Sequence, residues 1–489
     1  MTRKPLFWII FVLLSAAGVF FTLYFFPKAF PLVNLNITIN RQQALAEANR
    51  LAQQQDWGPA DFQQAASFSV DTQVQHFVEL EAGGVERFNE LLAGDLYSPY
   101  SWRVRHFKEN EKTETTIRFT PDGRFYGFSE QRPENEPGAS LASDSALVIA
   151  ETSAADWQVD LGPFQLVERS QEKQIGGRTD HSFTYERTDA QLGEGDFRLE
   201  LTVAGDKLAA LRHYVKVPEA FQRRYQEMRS ANNTIASVAL FAIAVLYGIL
   251  GIGVGLFFLL RERWLKWRTA LFWGCFVALL QVLAQINRWP LLWMSYDTAL
   301  SHSSFFMRQI FQLITLFAAE AVLLTLTFMA AEGLTRKAFP QQIQLWKIWR
   351  PAAAGSKPVL GFTLSGYLGV SLFFAFDIAL YFFATKVLGW WTPSSSLFEP
   401  NVLATYQPWL SSIANSLHAG FWEESLFRAV PIAGAALIGR RFGREKLWIA
   451  GAFLVQALIF GAGHANYVQQ PAYARVVELI LPSIGFGLI

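Results

Sequence analysis

Long apolar runs with few or no charged side chains constrain the fold of this sequence most strongly. The first is Leu6 to Phe26, and the others lie at about 235–260, 269–286, 306–330, 359–385, 408–439, 447–464 and from Val476 onward. A helix of about 20 apolar residues spans the roughly 30 Å hydrocarbon core of a bilayer. The pattern predicts a polytopic α-helical membrane protein with about eight transmembrane helices, surrounded by the lipid bilayer.

Composition excludes several other classes of protein. Only 17% of the residues are charged, whereas a soluble domain has roughly a quarter, so a single soluble globule is excluded. The net charge of +1 provides no basic field, and we therefore expect no nucleic-acid partner. The single cysteine, Cys275, lies in an apolar run, so neither an intrachain disulfide nor a cysteine-based metal site can form.

The basic residues predict the orientation in the membrane. Arg3 and Lys4 precede the first run, and the other basic loops are at 261–268, 336–357 and 440–446. Because Lys and Arg accumulate on the cytoplasmic side, these segments and the N-terminus are expected to be cytoplasmic. A cleaved signal peptide is the alternative for the first run, but its length and its Phe-Phe-Pro-Lys end favour an uncleaved anchor over residues 1–27. We expect a multi-pass protein of a cell membrane, namely the bacterial cytoplasmic membrane.

Residues 28–233 hold most of the charged side chains and predict an extracytoplasmic α+β domain inserted between helices 1 and 2. Helix and strand patterns are found at 41–53, 102–107, 115–119 and 124–128. The Asp122-Gly123 pair favours a hairpin before the last of these. A second copy has patterns at about 145–155, 164–169, 182–187, 197–203 and 207–217. The two copies, 28–133 and 144–220, resemble PepSY-type domains by pattern alone; a generic spacer or partner-binding domain is the alternative.

The run 408–439 carries three charges within a membrane-length segment, where charged side chains are costly and are by default functional or paired. On a helix Glu424 and Arg428 share a face and can form an ion pair. Glu423 lies about 100° away and has no cation three or four residues later. A carboxylate of this kind suits a general base. The alternative is that both glutamates clamp Arg428 and a neighbouring helix.

The following run ends in Phe460-Gly-Ala-Gly-His464, and its position relates it to Glu423. Glu423 precedes the basic turn at Arg440 by about as many residues as His464 follows it at Lys446. Antiparallel helices would therefore place both side chains roughly 25 Å from that turn, near the outer membrane boundary.

Glu-Glu-x-x-x-Arg followed by Phe-x-x-x-His on the next membrane helix resembles the CAAX protease and bacteriocin-processing (CPBP, or Abi) family of intramembrane glutamic endopeptidases. The resemblance covers a protease-like domain at 359–489, after a segment 234–358 with helices 2–4 and their basic loops. It implies that Glu423 activates a water, that His464 is its catalytic partner, and that Glu424, Arg428 and Phe460 support the helix pair. The implied substrate is a protein or peptide.

The family has a third motif on a later helix, His-x-x-x-Asn or His-x-x-x-Asp, which supplies oxyanion stabilisation. No histidine follows His464 in this sequence. We expect the motif to lie beyond Ile489, with an inactive relative as the alternative. Without that motif the chain is not expected to be a competent protease.

Other polar residues are weaker candidates. A metal held by the two adjacent glutamates and His464 would have too few neutral nitrogen ligands, so we expect no metal and no cofactor. His418 is interpreted as a packing or interfacial residue, and Asp377 and Glu320 as buried pairing partners. The histidines of the outer domain are expected on its surface or in strands: His76, His106, His181 and His213.

Two functions remain open from the sequence. The first is an intramembrane endopeptidase whose outer domain recruits or gates the substrate. The second is a non-catalytic immunity or scaffold protein that binds a partner through its outer domain and keeps the charged helix for structure.

Overall fold

The computed structural model describes residues 5–342 and 347–488. Its helices are α1 (Pro5–Ala29), α2 (Arg41–Gln55), α3 (Thr72–Glu81), α4 (Gly84–Ala93), α5 (Ser143–Asp156), α6 (Glu219–Ala242), α7 (Gly255–Arg261), α8 (Trp267–Asn287), α9 (Trp289–Leu292), α10 (His302–Ala338), α11 (Pro351–Ala354), α12 (Lys357–Lys386), α13 (Pro408–Glu423), α14 (Val430–Arg441), α15 (Glu445–Gly463) and α16 (Ala474–Leu488). Its strands are β1 (Gln63–Val70), β2 (Tyr100–Phe107), β3 (Glu114–Phe119), β4 (Phe125–Gln131), β5 (Phe164–Lys173), β6 (Thr179–Arg187), β7 (Asp196–Ala204) and β8 (Lys207–Lys216).

Six of the described helices are long and apolar enough to cross a membrane: Pro5–Ala29, Glu219–Arg261, Trp267–Asn287, His302–Ala338, Lys357–Lys386 and Glu445–Gly463. The π-helical segment Ile243–Val254 joins α6 to α7, so these form one long helix. The two remaining apolar runs are also helical, as α13–α14 and α16. The membrane class of the fold is thus supported, while the count of eight crossings stays a prediction.

Residues 63–216, called the outer domain after the orientation that the sequence predicts, contain one eight-stranded sheet in the order β1-β2-β3-β4-β8-β7-β6-β5, with antiparallel neighbours throughout. Each half is a four-stranded meander, and the two meanders meet where β4 pairs with β8. Gly127 allows this junction, because a Cβ there would lie 2.3 Å from the Leu211 carbonyl oxygen. The two predicted copies therefore share one sheet.

The predicted helix at 41–53 is present as α2. The side chain of Asn40 caps it by accepting hydrogen bonds from the backbone N–H groups of Gln42 and Gln43. Sequence patterns missed β1, α3 and α4. In β1 the residues that enter the core include alanine and serine as well as Phe68, so its hydrophobic alternation is weak.

The outer domain is docked onto the loops between membrane helices. Arg105 of β2 donates hydrogen bonds to the carbonyl oxygens of Trp293, Met294 and Tyr296 in the loop between α8 and α10. Phe107 packs against the ring of Tyr296 at a centroid distance of 5.5 Å. Buried contacts of this kind hold the domain against the membrane helices.

One expectation for the outer-domain histidines is wrong. His106, His181 and His213 lie in strands, as predicted, but His76 lies on α3 and is buried. Its ring stacks on Tyr225 at 5.1 Å, at the contact between the outer domain and α6. Sequence patterns could not show this burial, because it arises from a residue of a distant helix.

Candidate active site

The candidate site is built by two antiparallel helices that follow each other in the chain. The first runs through α13, a π-helical segment at Glu424–Ala429 and α14, and the second is α15. They are joined by a short basic turn in which Arg440 pairs with Glu445 at 2.8 Å. This arrangement fixes the depth of every motif residue relative to the turn.

Glu423 and His464 lie opposite each other across these helices. Glu423 Oε1 is 3.9 Å from His464 Nε2, and the two side chains are 28% and 23% exposed. The helix pairing thus brings together the two residues that the residue count from the turn places at equal depth. The exposed fractions leave both groups accessible to a water molecule or a substrate.

The backbone orients the imidazole of His464. Its Nδ1 is 2.7 Å from the carbonyl oxygen of Phe460, one turn earlier on α15. A carbonyl oxygen only accepts hydrogen bonds, so Nδ1 must carry the proton. In the neutral imidazole Nε2 then keeps its lone pair and directs it towards Glu423.

Arg428 is almost fully buried beside this pair, and Phe460 separates it from the imidazole. The guanidinium carbon is 4.1 Å from the centre of the Phe460 ring, and that ring lies 4.5 Å from the ring of His464. A cation over an aromatic face is attracted by the ring quadrupole. Phe460 thus positions the imidazole on one side and contacts the buried charge on the other.

Glu424 pairs with Arg428 at 3.5 Å, as the sequence spacing predicts, although the carboxylate is 47% exposed. The π-helical segment begins at Glu424, directly after the residue that faces His464. Single π-helical turns are rare in proteins, but those that occur are often found at functional sites. The two adjacent glutamates have different partners here, His464 for Glu423 and Arg428 for Glu424.

Two further supporting residues were missed by the sequence analysis. Ser483 of α16 accepts a hydrogen bond from Arg428 Nη2 at 3.2 Å and donates one to Gln456 Oε1 at 2.9 Å. These bonds attach α15 and α16 to the guanidinium. A glutamine within an apolar membrane run was the available signal for Gln456, whereas a single serine carries none.

The other polar membrane residues that the sequence analysis names lie beside titratable groups of other helices. His418 Nε2 is 3.2 Å from Glu320 Oε2 of α10, so both prove to be pairing residues between helices. Asp377 of α12 lies beside Glu478 of α16. The contact of His418 with Glu320 reduces the cost of holding two polar groups at membrane depth.

Comparison with known families identifies the C-terminal segment. Residues 405–489 match the family described as Rce1-like, type II CAAX prenyl endopeptidase. This segment is similar to that family. The Rce1-like segment contains both motifs, from Glu423 to His464, and the resemblance stated from those motifs is confirmed. At the family level the match supports a CAAX-protease-like intramembrane protease in a multi-pass membrane protein. No curated protein and no solved structure matches the chain.

Proposed function

We propose that this protein is an intramembrane endopeptidase that hydrolyses a peptide bond with a water activated by Glu423. The observation that carries the proposal is the 3.9 Å separation of Glu423 Oε1 and His464 Nε2 within the Rce1-like segment. This separation is too long for a direct hydrogen bond, and one water molecule can contact both atoms. The substrate is a protein or peptide segment.

In the proposed reaction Glu423 accepts one proton of the water while Nε2 of His464 accepts a hydrogen bond from the other. The water oxygen attacks the carbonyl carbon of the scissile amide, and a tetrahedral intermediate forms. Glu423 then gives its proton to the amide nitrogen as the C–N bond breaks, so that a carboxylic acid and an amine result. Arg428, Glu424 and Phe460 hold the two helices in register.

We place the reaction near the outer face of a cell membrane, with the N-terminus in the cytoplasm and residues 28–233 outside. The positively charged loops support this orientation. The boundaries of the anchor, the outer domain with its two PepSY-like repeats, and the protease part follow the sequence division at residues 27, 233 and 358.

The test is hydrolysis of a peptide library by the natural full-length protein in lipid nanodiscs. Glu423→Gln keeps the size of the side chain but removes the base, so kcat should fall by about 10²- to 10⁴-fold. Glu320→Gln is the matched control, because it also removes a carboxylate from a membrane helix. We expect that variant to retain activity.

Wild-type turnover in Glu423→Gln would exclude this residue as the base. If the unaltered full-length protein hydrolyses no peptide of the library, the endopeptidase proposal fails and a non-catalytic scaffold protein is left.

A further inference from the structure

The loop at residues 464–473, here called the exit loop, follows His464 and leads into α16. Several of its backbone carbonyls accept hydrogen bonds from α6, the helix that follows the outer domain in the chain. Arg229 donates to the carbonyl oxygens of Asn466 and Tyr467, and Asn232 donates to that of Gln469 at 3.2 Å. The exit loop, which begins at His464, is therefore held by α6, a helix that does not belong to the pair carrying Glu423 and His464.

A second contact fixes the exit loop through the loop between α12 and α13. Trp391 and Gln470 form an isolated antiparallel bridge, in which each backbone N–H donates to the other's carbonyl oxygen at 2.9 and 2.8 Å. Gln470 lies six residues after His464. The position of Trp391 thus bears directly on the path of the exit loop.

Trp391 is in turn held by a carboxylate of the outer domain. Glu79, on α3, is buried and accepts a hydrogen bond from the indole Nε1 of Trp391 at 3.0 Å. It also accepts bonds from the hydroxyl of Ser394 at 2.6 Å and from the side-chain amide of Gln75 at 2.8 Å. The backbone N–H of Ser394 points at the same carboxylate, at 3.2 Å. The Glu79 carboxylate therefore accepts hydrogen bonds both from its own helix and from the loop that contains Trp391 and Ser394.

Such an arrangement is costly unless the donors stay in place. Burial raises the pKa of the Glu79 carboxyl, whereas its hydrogen bonds to Ser394, Gln75 and Trp391 lower it. If the Trp391 loop moved away, the buried carboxylate of Glu79 would lose the hydrogen bonds that this loop donates. Buried polar groups without hydrogen-bond partners cost free energy, so such a movement is unfavourable. The contact is thus specific for one position of the Trp391 loop.

From this chain of contacts we propose that Glu79 is a positioning residue for the candidate active site. It holds Trp391, Trp391 holds Gln470, and Gln470 holds the exit loop in the conformation that presents His464 to Glu423. The outer domain then helps to position His464 in the hydrolytic site, in addition to any role in recruiting substrate. This inference rests on the proposed function.

The experiment compares Glu79→Gln with Glu81→Gln in the natural full-length protein in nanodiscs. In Glu79→Gln one acceptor oxygen becomes an NH₂ group that faces other donors, so the Trp391 loop loses part of its support. Glu81 lies on the same helix and forms an exposed ion pair with Arg224, which makes its replacement a matched control. Hydrogen exchange of residues 464–473 is measured by mass spectrometry, and kcat and KM are measured on a cleaved peptide.

In Glu79→Gln we expect faster exchange of the exit loop and a roughly ten- to hundred-fold lower kcat, because a displacement of about 1 Å has effects of this size. KM should change little, and Glu81→Gln should match the wild type in both measurements. Trp391→Phe removes the indole donor from the other side and keeps an aromatic ring. It should shift exchange and kcat in the same direction, which covers the case that Glu79→Gln does not fold.

Unchanged exchange of the exit loop in both Glu79→Gln and Trp391→Phe would overturn the inference. So would faster exchange with an unaltered kcat, because the contact would then have no effect on the site. If the wild type itself proves inactive, the proposed function fails, and the exchange measurement still decides whether Glu79 holds the loop.

Discussion

A methyl group added at Gly461 tests how closely α15 and α16 must pack beside His464. A Cβ at this position would lie 2.9 Å from both the Cα and the carbonyl oxygen of Val476. Ordinary contacts begin at 3.4 Å, so the backbone of α16 would have to move by about 0.5 Å. Overpacking of this kind typically costs about 1–3 kcal/mol.

Gly451 provides the control on the same helix. Within the described residues, a Cβ at Gly451 would meet no heavy atom within 4 Å. Both Gly→Ala changes gain helix propensity of up to about 1 kcal/mol, so the difference between the two variants isolates the clash. We therefore expect Gly461→Ala to have a free energy of unfolding about 1–3 kcal/mol lower than Gly451→Ala.

The assay is reversible unfolding of the purified protein in mixed micelles with increasing dodecyl sulfate, followed by circular dichroism. The two variants are measured in parallel against the wild type. Equal unfolding free energies for Gly461→Ala and Gly451→Ala would refute the close approach of α16 to α15, and with it the path assigned to the exit loop.

Phe460→Leu keeps an apolar side chain but removes the ring between the buried guanidinium and the imidazole. We therefore expect a free energy of unfolding about 0.5–2 kcal/mol lower, together with a lower kcat. Unchanged values for both would contradict the stacking role. Burial lowers the pKa of His106 to about 4. Between pH 6.5 and 4, therefore, only the unfolded chain binds this proton. The free energy of unfolding of the outer domain should fall by up to about 3 kcal/mol as the pH falls through this range. His106→Phe should abolish the part of the pH dependence of stability that comes from this imidazole. Stability is measured by pulse proteolysis in urea at pH 7 and 4.5. An unaltered pH dependence would count against the buried neutral imidazole. In a background without the native cysteine, Ile175→Cys, at a site that is 82% exposed, should react with a membrane-impermeant maleimide in intact cells, whereas Arg441→Cys should react only after permeabilisation. The reverse labelling pattern would invert the proposed orientation.

Much of the site follows from local patterns. Apolar runs predict the membrane helices, because hydrocarbon excludes charged side chains and favours internally hydrogen-bonded backbone. The nearly equal residue counts from the turn to Glu423 and His464 predict that the two lie at nearly equal depth and can approach each other, because the rise per residue of a helix is constant. The pairing of Glu424 with Arg428 follows from their spacing in the same way.

Other features could not be read from the sequence. The spacing of the motif does not indicate that the helix becomes π-helical at Glu424–Ala429. Ser483 looks like any other serine in an apolar run until α16 brings it to Arg428. Similarly, the strands show two meanders, but not that β4 and β8 join them into one sheet.

The sequence by itself determined the membrane class and the family resemblance of the C-terminal segment, and it predicted an inserted α+β domain and a hydrolytic pair, since hydropathy, periodicity and motif spacing act over short stretches of chain. Only the tertiary structure decided that Glu79, more than 300 positions before Trp391, supports the loop behind His464. A contact between such distant residues depends on how whole helices and loops pack, and neighbouring residues in the chain carry no trace of it.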